Sequence, residues 1–290
     1  MGRLLKAFFF KLSRDLTFRI VLIIGAGIAF FMTAIYLMID LGIEGLAGDI
    51  PLKFLTGPNM LLTSFNPTDN FGLAIPICLI TFICLEFSQG AIRNKIIAGH
   101  SKFQIYTSLV LSGLVLTFSL LIVYCGLCTL IGTIFGGFNL DDPILILTLS
   151  IAGAYAEPWY IWQMIITAIV VYICLVSFTV FFAALFRSIG PCIPIVIISL
   201  IMLSLVGTLV TSFSVFLEDD TLVNILKIID PLYVISGGGT ELTYIVKNDD
   251  PIQYVTIETG AFIATIINNL VYAALFYVGG AFIFMKRDVK

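Results

Sequence analysis

Long apolar blocks alternate with short polar segments along the whole chain. The six blocks lie near residues 20–39, 70–87, 105–135, 159–186, 190–215 and 260–285, and Glu86 is the one charged residue inside them. A helix needs about 20 apolar residues, in a range of roughly 17–25, to cross a bilayer. The pattern therefore predicts an all-α integral membrane protein with six transmembrane helices, formed as a single domain over residues 1–290.

Composition agrees with the pattern. Hydrophobic residues make up 60% of the 290 residues and charged residues 11%, whereas a soluble domain has about 25% charged residues. The third block is longer than one span, and we interpret it as one helix that ends at Gly136-Gly137. Pro76, Pro191 and Pro194 predict kinks or late helix starts. The G-x-x-x-G pattern of Gly132 and Gly136 predicts close packing against another helix.

Basic residues orient the predicted spans. With the N-terminus in the cytoplasm, twelve of the 15 Lys and Arg residues fall in inner segments, and only Lys53, Lys227 and Lys247 fall outside. Inner loops of membrane proteins carry such an excess of positive charge. The sequence therefore predicts six spans with both termini in the cytoplasm.

Residues 1–19 predict an amphipathic helix that lies in the membrane interface, with apolar residues at helical spacing and basic residues between them. A basic flank that only orients the first span is the alternative. The residues that define this segment are Arg3, Lys6, Phe8, Phe9, Lys11, Leu12 and Arg14.

The connection over residues 88–102 is the most polar inner segment between spans. Gly90 and Gly99 bracket a short helix, with Gly99 as its C-terminal stop. Because the segment also carries Arg93, Lys95 and the single histidine, it must lie in water or against another protein. Glu86, at the inner end of the second span, has two interpretations. Its carboxylate either bonds nearby basic groups or transmits movement from a partner.

Familiar catalytic motifs are missing from the sequence. It contains no G-x-x-x-x-G-K-[ST] loop for ATP, no H-E-x-x-H pair and no G-x-S-x-G elbow. The six cysteines fall in or beside apolar blocks, which favours buried small side chains, although Cys125 and Cys128 have C-x-x-C spacing. The outer loop over residues 218–258 predicts a short amphipathic helix near 221–229, followed by a glycine-rich hinge.

Together these features resemble the permease subunits of ABC transporters of the ABC-2 type. The basic N-terminal segment before six spans, Glu86 followed by Gly90, the short basic helix and Asp230-Pro231-Leu232 before the last span carry the resemblance. The segment Tyr106-Thr107-Ser108-Leu109 lacks a Lys that relatives often have, which leaves the inner boundary of the third span open.

The resemblance implies an elbow helix over residues 1–19, short re-entrant outer helices in 218–258 and a coupling helix that docks on a separate ATPase. The coupling residues would be Glu86, Gly90, Ala91, Ile92, Arg93, Asn94, Lys95, Ile96 and Gly99. Two ATPase subunits would bind ATP and Mg, and two permeases would pair, with a homodimer favoured over a heterodimer. This chain would bind no cofactor, metal or nucleic acid and would not itself be an enzyme.

The expected function is export of a hydrophobic or amphipathic cargo (a peptide, a lipid or a lipophilic antibiotic) across a bacterial plasma membrane. The few charges in the spans favour an apolar path. A membrane sensor or immunity protein without transport activity is the alternative. A neighbouring gene for an ATPase without spans would distinguish the two.

Overall fold

The chain folds into a helical bundle with a small sheet at one end. The computed structural model describes residues 14, 16–44, 54–65, 72–139, 155–156, 158–217, 244–249, 252–257 and 259–287. Within these ranges the chain forms eight helices, namely α1 Leu16–Glu44, α2 Gly57–Phe65, α3 Gly72–Ser88, α4 Ala91–Ile97, α5 Lys102–Gly136, α6 Pro158–Phe186, α7 Ile189–Leu217 and α8 Thr259–Lys286. The strands of the same ranges are β1 Tyr155–Ala156, β2 Tyr244–Asp249 and β3 Ile252–Ile257.

Several helices are long and apolar enough to cross a membrane. Four pass by themselves: α1 over Phe18–Leu41, α5 over Lys102–Gly136, α6 over Trp159–Phe186 and α8 over Thr265–Lys286. A fifth span results if α3 and α4, which meet at a bend of 54°, count as one. In α7, which runs over Ile189–Leu217, the stretch Ile189–Met202 is apolar as well. The described residues therefore contain four or five candidate spans, as in a multi-pass membrane protein.

The third apolar block is a single helix, as predicted. Ser101 caps α5, because its side-chain oxygen accepts a hydrogen bond from the Gln104 backbone N–H at 3.3 Å. At the other end Gly137 adopts a φ of 80°, in the left-handed region that favours glycine. The helix thus begins at Lys102, three residues before the predicted start, and ends at the predicted glycine pair.

Aromatic and small residues set the packing of α6, α8 and α5. Phe178 of α6 lies 5.1 Å from Phe276 of α8 between ring centroids, and Gly279 lies against Phe181 one turn further on. These two helices therefore run in the same direction. Tyr106 of α5 contacts Gly280 of α8. Lys102 bonds Met285 and Thr107 bonds Tyr277, so α5 runs antiparallel to α8.

The small sheet departs from the all-α prediction. β3 pairs antiparallel with β2 and parallel with β1. The loop over residues 218–258 was expected to form short re-entrant outer helices, and that expectation is wrong for Tyr244–Asp249 and Ile252–Ile257, which are strands. These strands are rich in β-branched residues and tyrosine and flank Asp250-Pro251 in the sequence, a composition typical of strands around a turn. The predicted helix near 221–229 and the hinge after it lie outside the described residues.

Helix α2 was not predicted, and it explains the G-x-x-x-G pattern. A Cβ added to Gly132 would meet the Met60 side chain at 2.6 Å, and one added to Gly136 would collide with the Leu55 backbone. The two glycines therefore let α2 and the residues before it approach the backbone of α5 closely. The predicted close packing is confirmed, and its partner lies within the same chain.

Asp40 fixes the start of this α2 segment. Its two carboxylate oxygens accept hydrogen bonds from the backbone N–H groups of Phe54, at 2.6 Å, and Leu55, at 2.8 Å. The Gly57 backbone N–H donates to the Gly137 carbonyl at 2.9 Å. The end of the bundle that contains these contacts is called the Asp40 end below.

At the N-terminus the structure describes part of the predicted interfacial segment. Arg14 is exposed and helical, and α1 continues without interruption from Leu16 to Glu44. Residues 16–19 therefore belong to the same helix as the first candidate span. Six of the residues assigned to the elbow lie outside the described residues: Arg3, Lys6, Phe8, Phe9, Lys11 and Leu12.

Candidate functional site

Basic side chains gather at the end of the bundle opposite Asp40. There α3 ends, α4 follows, α5 begins, and α6 and α8 end. We call this the basic end; its described basic residues include Arg93, Lys95, Lys102, Arg187, Lys286 and Arg287. Because these charges lie where the apolar helices stop, the basic end is a candidate docking surface for a polar partner.

Two glycines isolate α4 as a separate short helix. Gly90 has a φ of 68° and Gly99 a φ of 85°, both in the left-handed region that costs other residues free energy. Gly90 lies in the tight turn that bends the chain by 54° between α3 and α4. The seven-residue helix Ala91–Ile97 therefore has a backbone break on each side, as the sequence predicted.

A buried ion pair ties α4 to the end of α3. The Lys95 ammonium lies 2.6 Å from a Glu86 carboxylate oxygen. The Glu86 side chain is 2% exposed and that of Lys95 22%. A charge this deeply buried is tolerated when a partner of opposite sign neutralises it. Glu86 thus bonds a nearby basic side chain, which is one of the two interpretations made from the sequence.

The two faces of α4 differ in chemistry. Ile92 is 1% exposed and Ile96 is partly buried against the core, so these residues attach the helix to the bundle. On the opposite side Arg93 and Asn94 are exposed, and Ile97 is 75% exposed. A short helix that carries a cation, an amide and an aliphatic group outward has the chemistry of a docking surface.

A second set of contacts ties three helix ends together beside α4. The Lys102 ammonium donates to the carbonyls of Met285, at 3.1 Å, and Arg287, at 3.2 Å. The Arg287 guanidinium donates to the Leu185 carbonyl at the end of α6. Each cation faces carbonyls at a helix C-terminus, where the helix dipole is negative. The start of α5 and the ends of α6 and α8 are therefore held together electrostatically.

Arg187 completes the basic end in the connection between α6 and α7. Its guanidinium carbon lies 5.9 Å from the Phe87 ring centroid and 6.0 Å from that of Phe284. Its φ of 57° is left-handed, which allows α7 to begin at Ile189 directly after α6 has ended at Phe186. Arg187 thus links α3, α6 and α8 beside the ion pair of Glu86.

The residues predicted to couple to an ATPase lie together in the structure. Glu86, Gly90 and the whole of α4 form one continuous segment that ends at Gly99. Within that segment Lys95 faces the Glu86 carboxylate rather than the outside, whereas Arg93 is exposed. Sequence reasoning did not separate the tasks of these two cations.

Polar side chains inside the bundle are a second feature that sequence reasoning passed over. Most buried hydroxyls bond their own backbone; Thr179, for example, donates to the Leu175 carbonyl at 2.7 Å. Thr117 differs, because its hydroxyl has no hydrogen-bond partner within the described ranges. Asn269 is 1% exposed. An asparagine in the middle of the last apolar block is the signal that could have identified it.

No protein-family profile, curated protein sequence or solved structure matches this chain.

Proposed function

We propose that this protein is the membrane-spanning permease subunit of an ATP-driven exporter of the ABC-2 type. The observation that carries the proposal is α4, a short helix with a cation, an amide and an aliphatic side chain turned outward at the basic end. Glycines in left-handed conformation separate it from the spans, and the Glu86–Lys95 ion pair fixes it to α3. An ATPase subunit would dock on Arg93, Asn94 and Ile97.

The anchoring of α4 suggests how force reaches the membrane. Movement of a bound ATPase would push α4 as a unit, because Ile92 and the ion pair attach it to the bundle. The load would pass to α3 through Glu86, and to α5 through the short segment from Gly99 to Ser101. Rigid helices transmit such displacements as rocking motions of packed elements.

The finer features of the proposal follow the resemblance. The protein would have six spans, with α7 as the fifth, and both termini in the cytoplasm of a bacterial cell. Residues 1–19 would contribute an elbow helix. The ATPase would appear in two copies that bind ATP and Mg, and two permeases would form a homodimer. The cargo would be hydrophobic or amphipathic, because the apolar helices offer few charges.

Co-purification tests this proposal directly. The chain is purified in detergent with the ATPase encoded beside its gene, and ATP hydrolysis is measured with and without amphipathic peptides. A stable complex whose hydrolysis rate responds to a peptide supports the exporter. Purification of the chain without the ATPase, in every nucleotide condition, favours a membrane sensor or immunity protein.

Arg93→Glu tests the docking surface itself. Arg93 is exposed, so its reversal should leave the folded protein intact while lowering ATPase binding at least tenfold through charge repulsion. Lys286→Glu is the matched control, because it reverses an exposed charge at the same end away from α4. Affinity for the ATPase is measured in detergent by titration. Equal affinity for both variants would remove Arg93 from the docking surface.

A further inference from the structure

Three polar residues lie inside the bundle on three neighbouring helices. Thr117 of α5 and Tyr172 of α6 are fully buried, and Asn269 of α8 is 1% exposed. All three interrupt stretches of apolar side chains, well away from both ends of their helices. Uncharged polar groups at such positions in membrane helices usually bond their own helix or a neighbouring one, so a buried polar atom that does neither requires an explanation.

The packing register brings Thr117 and Asn269 to the same depth. Tyr106 of α5 contacts Gly280 of α8, and Thr107 bonds Tyr277 at 2.7 Å between hydroxyl oxygens. Thr117 follows Tyr106 by eleven residues and Asn269 precedes Gly280 by eleven, so each lies about 16 Å further along its antiparallel helix. Eleven residues are close to three full turns. Both residues therefore lie on the helix faces that meet at the Tyr106–Gly280 contact.

The contact between α5 and α6 places Tyr172 at the same depth. A Cβ added to Gly113 of α5 would lie 3.1 Å from the Val176 side chain of α6. Thr117 follows Gly113 by four residues and Tyr172 precedes Val176 by four, which is about 6 Å along each helix. One hydroxyl, one phenol and one carboxamide thus occupy one layer between α5, α6 and α8.

Two atoms of this layer retain unused hydrogen-bonding capacity. Asn269 donates through its Nδ2 to the Thr265 carbonyl at 2.8 Å. Its Oδ1 and the Thr117 hydroxyl are buried without a hydrogen-bond partner in the part of the chain that the structure describes. Leaving such groups unbonded in an apolar interior costs several kcal/mol, on the order of 2–7. Thr179, equally buried, avoids this cost by bonding its own helix.

We propose that Thr117, Tyr172 and Asn269 form an internal hydrated site that accepts a neutral hydrogen-bonding group of a ligand. Water bonds the Asn269 carbonyl and the Thr117 hydroxyl when the site is free. An amide or a hydroxyl of an amphipathic molecule replaces that water, since none of the three side chains carries a charge. The site exists independently of any ATPase; only its use by a transported cargo rests on the proposed function.

Cysteine labelling in membranes tests the site. Thr117→Cys and Asn269→Cys are treated with a small cationic methanethiosulfonate reagent, whose reaction with a thiolate forms a mixed disulfide and releases methanesulfinate. Thr179→Cys is the matched control, and labelling is read on each peptide by mass spectrometry so that native cysteines do not interfere. We expect both site variants to react at least tenfold faster than the control, because water reaches them.

Equal and negligible reaction of all three variants would overturn the proposal. If Asn269→Cys fails to fold, Thr117→Cys carries the test, because Thr and Cys side chains are similar in volume. Labelling without ATPase co-purification would support the internal site and count against the proposed exporter. The reverse result would leave the exporter in place and remove the site.

Discussion

Lys95 and Arg93 carry the same charge two positions apart, but the structure gives them different surroundings. The Lys95 ammonium contacts the Glu86 carboxylate, whereas the Arg93 side chain is exposed. On a helix these positions differ by about 200°, so one can face the bundle while the other faces outward. Lys95 therefore attaches α4 to the bundle, whereas Arg93 gives the surface of α4 its positive charge.

A double-mutant cycle on Glu86 and Lys95 tests the attachment. Lys95→Met should lower the free energy of unfolding by about 3 kcal/mol, because it removes an opposite charge from beside the buried Glu86 carboxylate. Glu86→Gln should cost less, because the Lys95 side chain is partly exposed. The double variant should cost much less than the sum of the two changes. Thermal or denaturant unfolding in detergent measures all four proteins, and purely additive losses would show that the two side chains are not coupled.

The sequence predicted the existence and the glycine boundaries of α4, because left-handed glycines and helix stops are local properties of the chain. It did not predict that Lys95 would face Glu86, since that contact depends on the bend between α3 and α4. The same limit applied to Tyr106 and Gly280, which are far apart in sequence and in contact in the bundle. Contacts of this kind depend on which helix faces meet in the bundle. Apolar blocks of similar composition do not show which faces those are.

At the scale of elements, α2 shows how a short helix can be hidden in a loop. Its nine residues are too few to give a strong periodic signal, and its stability comes from tertiary contacts with α5 and with Asp40. The glycines at 132 and 136 were recognised from sequence, but their partner was not. A pair of glycines at this spacing predicts that another element packs closely against the helix, but it does not identify that element.

Asp40 should stabilise the segment that leads into α2. Asp40→Ala removes both acceptors of the Phe54 and Leu55 N–H groups, and we expect a loss of about 2 kcal/mol in unfolding free energy. Asp40→Asn retains one carbonyl acceptor and should cost less. Unfolding in detergent measures both variants. Thr81→Val is a control, because its hydroxyl is exposed and bonds only its own helix at the Ile77 carbonyl; a loss of the same size there would contradict this role of Asp40.

For the whole molecule, the apolar blocks predicted long helices in the right places, with boundaries within a few residues at α5 and α6. They did not predict the sheet, in which β1 pairs with a β2–β3 hairpin about 90 residues further along the chain. Charge asymmetry predicted the orientation in the membrane. Orientation depends on the bilayer and its insertion machinery, so it has to be measured on cells.

Single-cysteine accessibility in intact cells measures that orientation. Ser188→Cys lies exposed at the basic end, and Phe138→Cys lies at the Asp40 end. A membrane-impermeant maleimide should label position 138 in intact cells and position 188 only after permeabilisation, because basic ends remain in the cytoplasm. The opposite pattern would invert the protein in the membrane and place α4 out of reach of a cytoplasmic ATPase.

The bonds of Lys102 to the carbonyls of Met285 and Arg287 span 183 and 185 positions in the chain. During synthesis Lys102 leaves the ribosome long before those carbonyls exist. Until α8 has been inserted, the start of α5 is therefore without one of its anchors, and the basic end can close only as a late step of biogenesis. A nascent chain that stops before residue 285 would present an open basic end, the state in which quality-control proteases could distinguish unfinished from finished copies.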